Sequence, residues 1–320
     1  MTLVYVPNGT SVLIGKETAW GTKATADKDI GLIQNCTPSE RNNLEKVHSV
    51  AARNVNTVVA HKYEATISLE AIFQHGRMLE YAFGAVSHDI TDDPDIKHTF
   101  TEADSLPSFT LHNGFSGTTD VNTDYMGCKV NTLTLAQDAT GQMTMRSEII
   151  AKTSSQASTA IAASISTSTT LPAWTTTLTA GTDGTEGTVS LVRNWEATAN
   201  NGLIPTEAVG TRLIGALSEG PRDYDGRVTV AFNTSSEWQR FLGGASPSTS
   251  TPTASSFIMN ASRGTLATDM RALHLDYALV TYDSVSTPVA IGGVIYQDFD
   301  FVAEELTECY TYDGIATASW

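Results

Sequence analysis

Residues 63–70 read Tyr-Glu-Ala-Thr-Ile-Ser-Leu-Glu. Ala65, Ile67 and Leu69 fall on one side of an extended chain and Glu64, Thr66, Ser68 and Glu70 on the other, because successive side chains of a strand point to opposite faces. A strand with one apolar and one polar face belongs to an antiparallel sheet with one side wet. The alternation recurs over 130–136 (VNTLTLA), 143–149 and 228–232, between clusters of Gly, Asn and Asp that read as turns. Helix signals are few. Apolar spacing predicts one helix over 71–83 with Gly84 as its stop, and a second over 235–242, where a Ser precedes Glu237 and Gly243 and Gly244 follow. The class is mainly β, with one helix in each half.

The 320 residues suffice for two ordinary domains, and 41% hydrophobic against 17% charged residues allows real cores. The formal charge of -16 opposes binding to phosphate backbones, but suits a surface that a nucleic acid must pass without sticking. Cys36, Cys128 and Cys309 are odd in number and far apart. They make no disulfide framework and no CxxC pair, and read as buried thiols. The first fifteen residues lack a basic and apolar leader, and no apolar run approaches the length of a membrane span. Synthesis and folding in a cytoplasm, with no membrane partner, is the expectation.

The two halves share an order. Leu32-Ile33-Gln34-Asn35 leads to the strand over 64–70, a helix ending at Gly84, a strand at 109–112 and a pair over 130–150. Leu191-Val192-Arg193-Asn194 leads to a strand over 227–233, a helix ending at Gly243, a strand at 257–260 and a pair over 272–301. Asn35 to Asn194 and Gly84 to Gly243 are the same displacement, 159 residues (194 − 35, 243 − 84). Such self-similarity is the mark of an internal duplication. A stretch over 153–177, almost entirely Ser, Thr and Ala, cannot build a core of its own. The expected organisation is a first domain over 1–155, a linker or arm over 156–180 and a second domain over 181–320. The segments 35–59 and 194–221 are too long for tight turns and read as long loops.

Gly15-Lys16-Glu17-Thr18-Ala19-Trp20-Gly21-Thr22 resembles the N-terminal signature of siphovirus-type tail tube proteins, a Gly, then Glu, then an aromatic residue followed by Gly-Thr. Gly15, Glu17, Trp20 and Gly21 carry it. The run from His61 to Gly84, a strand followed by the segment holding Phe73, Leu79 and Phe83, is similar to the family's step from sheet to helix. The second half lacks the signature. The resemblance implies tandem β-sandwich or barrel domains, each with a flanking helix, whose inner sheets join between subunits into a ring. With two domains per chain, three copies close a pseudo-hexameric ring, and stacked rings form a tube for ejection of viral DNA. It further implies a virion location, no cofactor, and as partners further copies of the chain, a tape measure protein, terminator and baseplate proteins, and double-stranded DNA in transit without specific binding. A baseplate hub or distal tail ring is the alternative on the same domain.

On that reading the polar faces of the long strands are candidates to line the channel: Glu64, Thr66, Ser68 and Glu70 in the first half, Arg227 and Thr229 in the second. Arg227 is the cost, since it adds positive charge there. Among other chemistries, Asp92, Asp93 and Asp95 form a weak calcium candidate without the spacing of a known loop. The histidines have no metal-ligand spacing. No GxGxxG, Walker A, HExxH or GxSxG motif occurs, so an enzyme is not expected. Sequons at Asn8, Asn35, Asn233 and Asn260 are of the number chance provides in a chain rich in Ser and Thr. A secreted carbohydrate-binding sandwich would cluster aromatic residues on one face, whereas Trp20, Trp174, Trp195, Trp238 and Trp320 are dispersed.

Overall fold

The computed structural model describes residues 10–51, 53–115, 121–157, 161, 169–181, 186–232, 236–242, 254–288 and 293–315. The first half runs β1 (Thr10–Lys16), β2 (Leu32–Arg41), β3 (Leu44–His48), β4 (Val55–Ala60), β5 (Glu64–Ile72), helix α1 (Arg77–Phe83), β6 (Gly84–Asp89), β7 (Ile96–Glu102), β8 (Phe109–Phe115), β9 (Val121–Asp138), β10 (Thr144–Ala151) and β11 (Thr153–Ala157). The second runs β12 (Thr176–Gly181), β13 (Gly187–Thr188), β14 (Val192–Asn200), β15 (Ile204–Glu207), β16 (Ile214–Ser218), β17 (Asp223–Ala231), helix α2 (Ser236–Leu242), β18 (Ser255–Arg263), β19 (Arg271–Ser286), β20 (Tyr296–Ala303) and β21 (Glu305–Asp313).

The chain is β-rich, as its alternation predicts, and among the described residues all strand pairs are antiparallel. The long strands β9 and β19 each serve two sheets. A central sheet of eight strands runs β2-β5-β10-β9-β14-β17-β20-β19. It uses β9 from Lys129 onward and β19 from Thr281 onward. The earlier part of β9 joins β1, β8 and β11 in a second sheet, and the earlier part of β19 joins β12, β18, β21 and β7 in a third. Each long strand passes from one sheet to the next at a residue in the left-handed region, Gly127 (φ 67) and Leu279 (φ 53). Glycine takes that conformation without a Cβ clash, whereas Leu279 pays for it.

Apolar faces turn inward. Ala65, Ile67, Leu69 and Ala71 of β5 are buried and pack in one cluster with Phe109 and Leu111 of β8, Leu133 of β9 and Val228 and Phe299 of the second half. One continuous core therefore passes through both halves. All seven residues of α1 are buried. Its Arg77 reaches the Asp29 carboxylate and carbonyl, and Lys16 pairs with Glu80.

The pairings of the first half recur in the second. The bulge between Ile33 and Asn35 opposite β5 reappears between Val192 and Asn194 opposite β17. The β3–β4 and β15–β16 hairpins carry bulges between Val47 and His48 and between Thr206 and Glu207. These bulges, and the two helices, stand 159 residues apart. Past the helices the displacement becomes 152, from Thr144–Ala151 to Tyr296–Ala303. The same 152 relates Asn131, skipped in the β9–β10 ladder, to Asp283, skipped in β19–β20, and Gly127 to Leu279.

Three expectations need correction. The helix expected over 71–83 begins only at Arg77; Ala71 and Ile72 continue β5, because the two-residue burial alternation persists through them. Residues 35–59 and 194–221 are not loops. They contain β3, β15 and β16 in full, with most of β2, β4 and β14. They lack an apolar period because β2 lies at a sheet edge and both faces of β3 and β4 are exposed. The Ser/Thr/Ala stretch opens with β11, paired to β9, and closes in β12, paired to β18. Its residues 158–160 and 162–168, and Asn8, Asn233, Gly243, Gly244 and Trp320, lie outside the described residues.

Burial governs the thiols. It raises Cys36 to about 11 and pushes Cys128 and Cys309 well above their ordinary value. Since the thiolate is the reactive form, iodoacetamide at pH 8 is expected to leave all three unmodified in the folded protein and to label all three in guanidinium. Intact mass reads the difference, and rapid labelling of the folded chain would contradict the packing.

Candidate functional site

The central sheet has one apolar face packed in the core and one polar face that lies outside it. Cross-strand register places Glu64, Thr66, Ser68 and Glu70 of β5 on the same side as Arg227 and Thr229 of β17, by way of β10, β9 and β14. Thr66, Ser68 and Arg227 are exposed, and Glu64 and Glu70 are half-buried. Thr229 differs: its side chain is buried and its hydroxyl donates to the Asp298 carboxylate at 2.6 Å.

Acidic groups outnumber basic ones there. Glu148, Glu196, Asp225 and Asp298 join Glu64 and Glu70, against Arg41, Arg146 and Arg227. Arg227 is not a bare charge, since Asp300 stands 3.0 Å away, and Arg146 meets Glu70 at 3.1 Å. Exposed pairs of this kind contribute about 0–1 kcal/mol each. Their consequence is a face with Arg146 and Arg227 locally cancelled rather than a more stable sheet. Lys62, hydrogen-bonded to Glu64, holds that carboxyl below its usual range.

The residues Gly15, Glu17, Trp20 and Gly21 converge where β9 bends. Glu17 is buried and its carboxylate accepts four hydrogen bonds, from the amides of Gly21 and Gly127 (both 2.8 Å) and the hydroxyls of Ser108 (2.8 Å) and Thr110 (3.0 Å). The Trp20 indole N–H donates to the Gly127 carbonyl at 3.0 Å, and Lys152 Nζ sits 4.2 Å from the centre of its ring. Gly15 lets the chain pass close to itself, since a Cβ there would lie 2.0 Å from the Thr25 carbonyl oxygen. This constellation holds a strand, a turn and a bend together and has no solvent-facing chemistry.

A third feature is the joint between the halves. Seven residues of β14, Asn194 to Asn200, pair with β9. Just beyond, buried Asn201 donates from Nδ2 to the carbonyls of Val130 (3.0 Å) and of Ala82 (3.1 Å) at the C-terminus of α1, one of the carbonyls a helix cannot satisfy itself. Arg222 donates to Asn201 Oδ1 at 2.8 Å, and the Leu203 amide to Asn131 Oδ1 at 2.9 Å. Lys129 pairs with Glu219 at 2.5 Å. Burial raises the Glu219 carboxyl, but Lys129 and the Leu106 amide outweigh it and hold it below its usual range. The β15–β16 hairpin lays Leu203, Ile214 and Leu217 on Leu106, beside Trp20 and Ile150. Its tip reaches back to the base of the first hairpin, where Arg212 donates to the His61 carbonyl and Asn42 Oδ1, both at 2.7 Å. None of these joint residues stands out by motif or spacing. The signals are that Asn42 and Asn201, and likewise Arg53 and Arg212, are 159 apart.

The calcium candidate does not come together. Asp95 is buried, and its carboxylate accepts from the amides of Thr268 (3.0 Å) and Met270 (2.9 Å) and from Arg271 (3.3 Å), while Asp93 is exposed. Asp95 thus ties the first half to the second. Among the described residues no group of three or more His, Cys, Asp or Glu is placed to hold a metal ion, and no helix is long and apolar enough to cross a membrane.

A family model described as phage tail tube protein matches residues 7–303. No curated protein matches the chain.

Removing the Glu17 side chain would strand two backbone amides and two hydroxyls in the interior. Glu17→Ala is expected to lower stability by about 3–5 kcal/mol, and Glu17→Gln by less, because one acceptor oxygen remains. Urea unfolding followed by fluorescence measures both, and an Ala variant as stable as the parent would contradict the clamp.

Proposed function

We propose that this chain, which belongs to the phage tail tube protein family, forms the tail conduit of a siphovirus-type phage as stacked rings of three copies. The family is structural, and the chain is a component of the virion tail. The observation that carries the finer reading is the eight-stranded sheet with two open ends. Its order β2-β5-β10-β9 is repeated as β14-β17-β20-β19, with the same bulges. That repetition supports two tube domains per chain. The first extends through β11, and the second is entered at β12, at the far end of the 156–180 linker. Two domains per chain make three chains the natural equivalent of a sixfold ring.

The polar face of the central sheet is the proposed channel lining. Its excess of carboxylates, with Arg146 and Arg227 locally paired, supports passage of DNA without lingering contacts, since like charges repel phosphates. The role asks for no catalysis and no cofactor. The tape measure protein within the tube, and terminator and baseplate proteins at its ends, complete the proposed partners, and synthesis takes place in the host cytoplasm.

Purified protein is expected to form rings with a central hole in negative stain, with a native mass of three chains of 34.1 kDa each. At -16 per chain, assembly should increase as added salt shortens the range of repulsion. A chain that stays monomeric at every salt concentration would overturn this reading.

A further inference from the structure

The central sheet is joined at its middle and open at its ends. Among the described residues, the outer edge of β2 and the outer edge of residues 281–286 of β19 have no strand partner. Displacement by 159 carries β2 onto β14, and displacement by 152 carries β9 onto β19. The covered joint between β9 and β14 therefore has an uncovered equivalent at the two ends of the same sheet. We infer that β19 of one copy pairs antiparallel with β2 of a second copy in the register of the internal joint, and that the β3–β4 hairpin lies sideways across the first copy's second half. This rests on the ring reading and specifies its interface.

The register follows from the internal one. Thr198 faces Thr134 in the β9–β14 ladder, their hydroxyls 2.9 Å apart, and Asn200 faces Thr132. The same displacements set Ser39 opposite Ser286 and Arg41 opposite Ser284, so at the first of these positions a hydroxyl again faces a hydroxyl.

The hairpin supplies independent support. Leu203, Ile214 and Leu217 are 8%, 7% and 5% exposed, because the first half covers them. Their equivalents in the β3–β4 hairpin, Leu44, Val55 and Val58, are also apolar but 64%, 39% and 52% exposed. A two-stranded hairpin alone is marginally stable, and three large apolar groups left in water on it call for a cover. Ile150, packed against the covered cluster, has its own equivalent in Val302, which is 45% exposed. Each half of the missing contact is thus apolar and bare.

The polar latch repeats too. Arg53 stands 159 residues before Arg212. Arg212 grips the His61 carbonyl and Asn42, whereas Arg53 is exposed and has no hydrogen-bond or ion-pair partner among the described residues. The equivalent of its backbone target is the Gly220 carbonyl of the neighbouring copy, while Asn201, the equivalent of Asn42, is buried and already held by Arg222 of its own copy. Asn42, the counterpart of Asn201, would in turn enter the end of that copy's α2.

Cysteine pairs test the register. In a C36S background, S39C with S286C is expected to oxidise to covalent dimers and closed trimers on a non-reducing gel, while each single variant and the off-register pair S39C with S284C give mainly monomer. Rings seen by electron microscopy without this pattern would overturn the inference and leave the ring reading standing; absence of rings under all conditions would overturn both. Arg53→Ala tests the latch, since it leaves the exposed residue's own chain undisturbed. Unchanged circular dichroism with at least a tenfold rise in the concentration needed for rings is expected, and unchanged assembly would overturn the sideways placement of the hairpin.

Discussion

A sheet strand must pair its backbone on both sides or give that edge to water, and this constraint governs the molecule. Inside the chain it is met at β9 and β14, where seven facing positions join the halves. Hydrogen bonds in such a ladder contribute only about 0.5–1.5 kcal/mol each, so they fix register more than they hold the halves together. Apolar burial contributes more. Covering Leu203, Ile214 and Leu217 with the first half is worth roughly 1.5–3 kcal/mol for each side chain. Asn201 then makes the arrangement specific, because its buried amide meets the α1 terminus and the β9 backbone only in this register.

The bends in β9 and β19 let one sheet serve two cores. A strand of eighteen residues, such as β9, would otherwise carry its sheet far past the layer it packs on. Turning at Gly127 sends its first part into the second sheet, so that Tyr125 and Leu133 belong to one core from two layers. Glu17 fixes the turn by accepting the Gly127 amide, which the bend removes from regular pairing. The corresponding bend at Leu279 has no such glycine, and an ordinary residue holds the left-handed conformation there.

How much of this is legible in the sequence depends on whether a residue's neighbours lie close along the chain. The alternation in Glu64–Ile72 marks β5 because one face meets the core and the other meets water. The shared displacement of Asn35 and Asn194 is visible because no insertion separates the halves before the helices. The start of α1 is misplaced by sequence alone, since Phe73 and Ala71 satisfy a helical spacing as well as an alternating one, and only their tertiary partners decide. The hairpins give no sign of themselves. Val47, Val55 and Val58 do not alternate, and both faces of their strands are exposed, so their pattern carries no periodic signal. Glu17 is legible only as a member of a signature; its four donors come from positions up to 110 residues away. The Asp95 contacts are similarly remote, at 173 to 176 residues.

The two joints, the internal one and its proposed counterpart between copies, are not equal, and the inequality has a consequence. Within the chain, Lys129 pairs with Glu219, β7 adds to β21, and Asp95 binds Arg271. At the positions displaced by 152 and 159 stand Thr281 and Ala60, so the counterpart of the Lys129–Glu219 pair is absent. Nor does a described strand of the second half stand where β6 and β7 stand in the first, since β18 follows α2 directly in the ordered sequence of elements. The contact between copies would keep the ladder, the hairpin cover and the arginine latch while losing the ion pair and the added strand. A subunit with that asymmetry can hold its own halves together firmly before meeting another copy. On the proposed reading its weaker, repeated edge would be left for assembly, where stacking and ring closure would add what a single joint lacks.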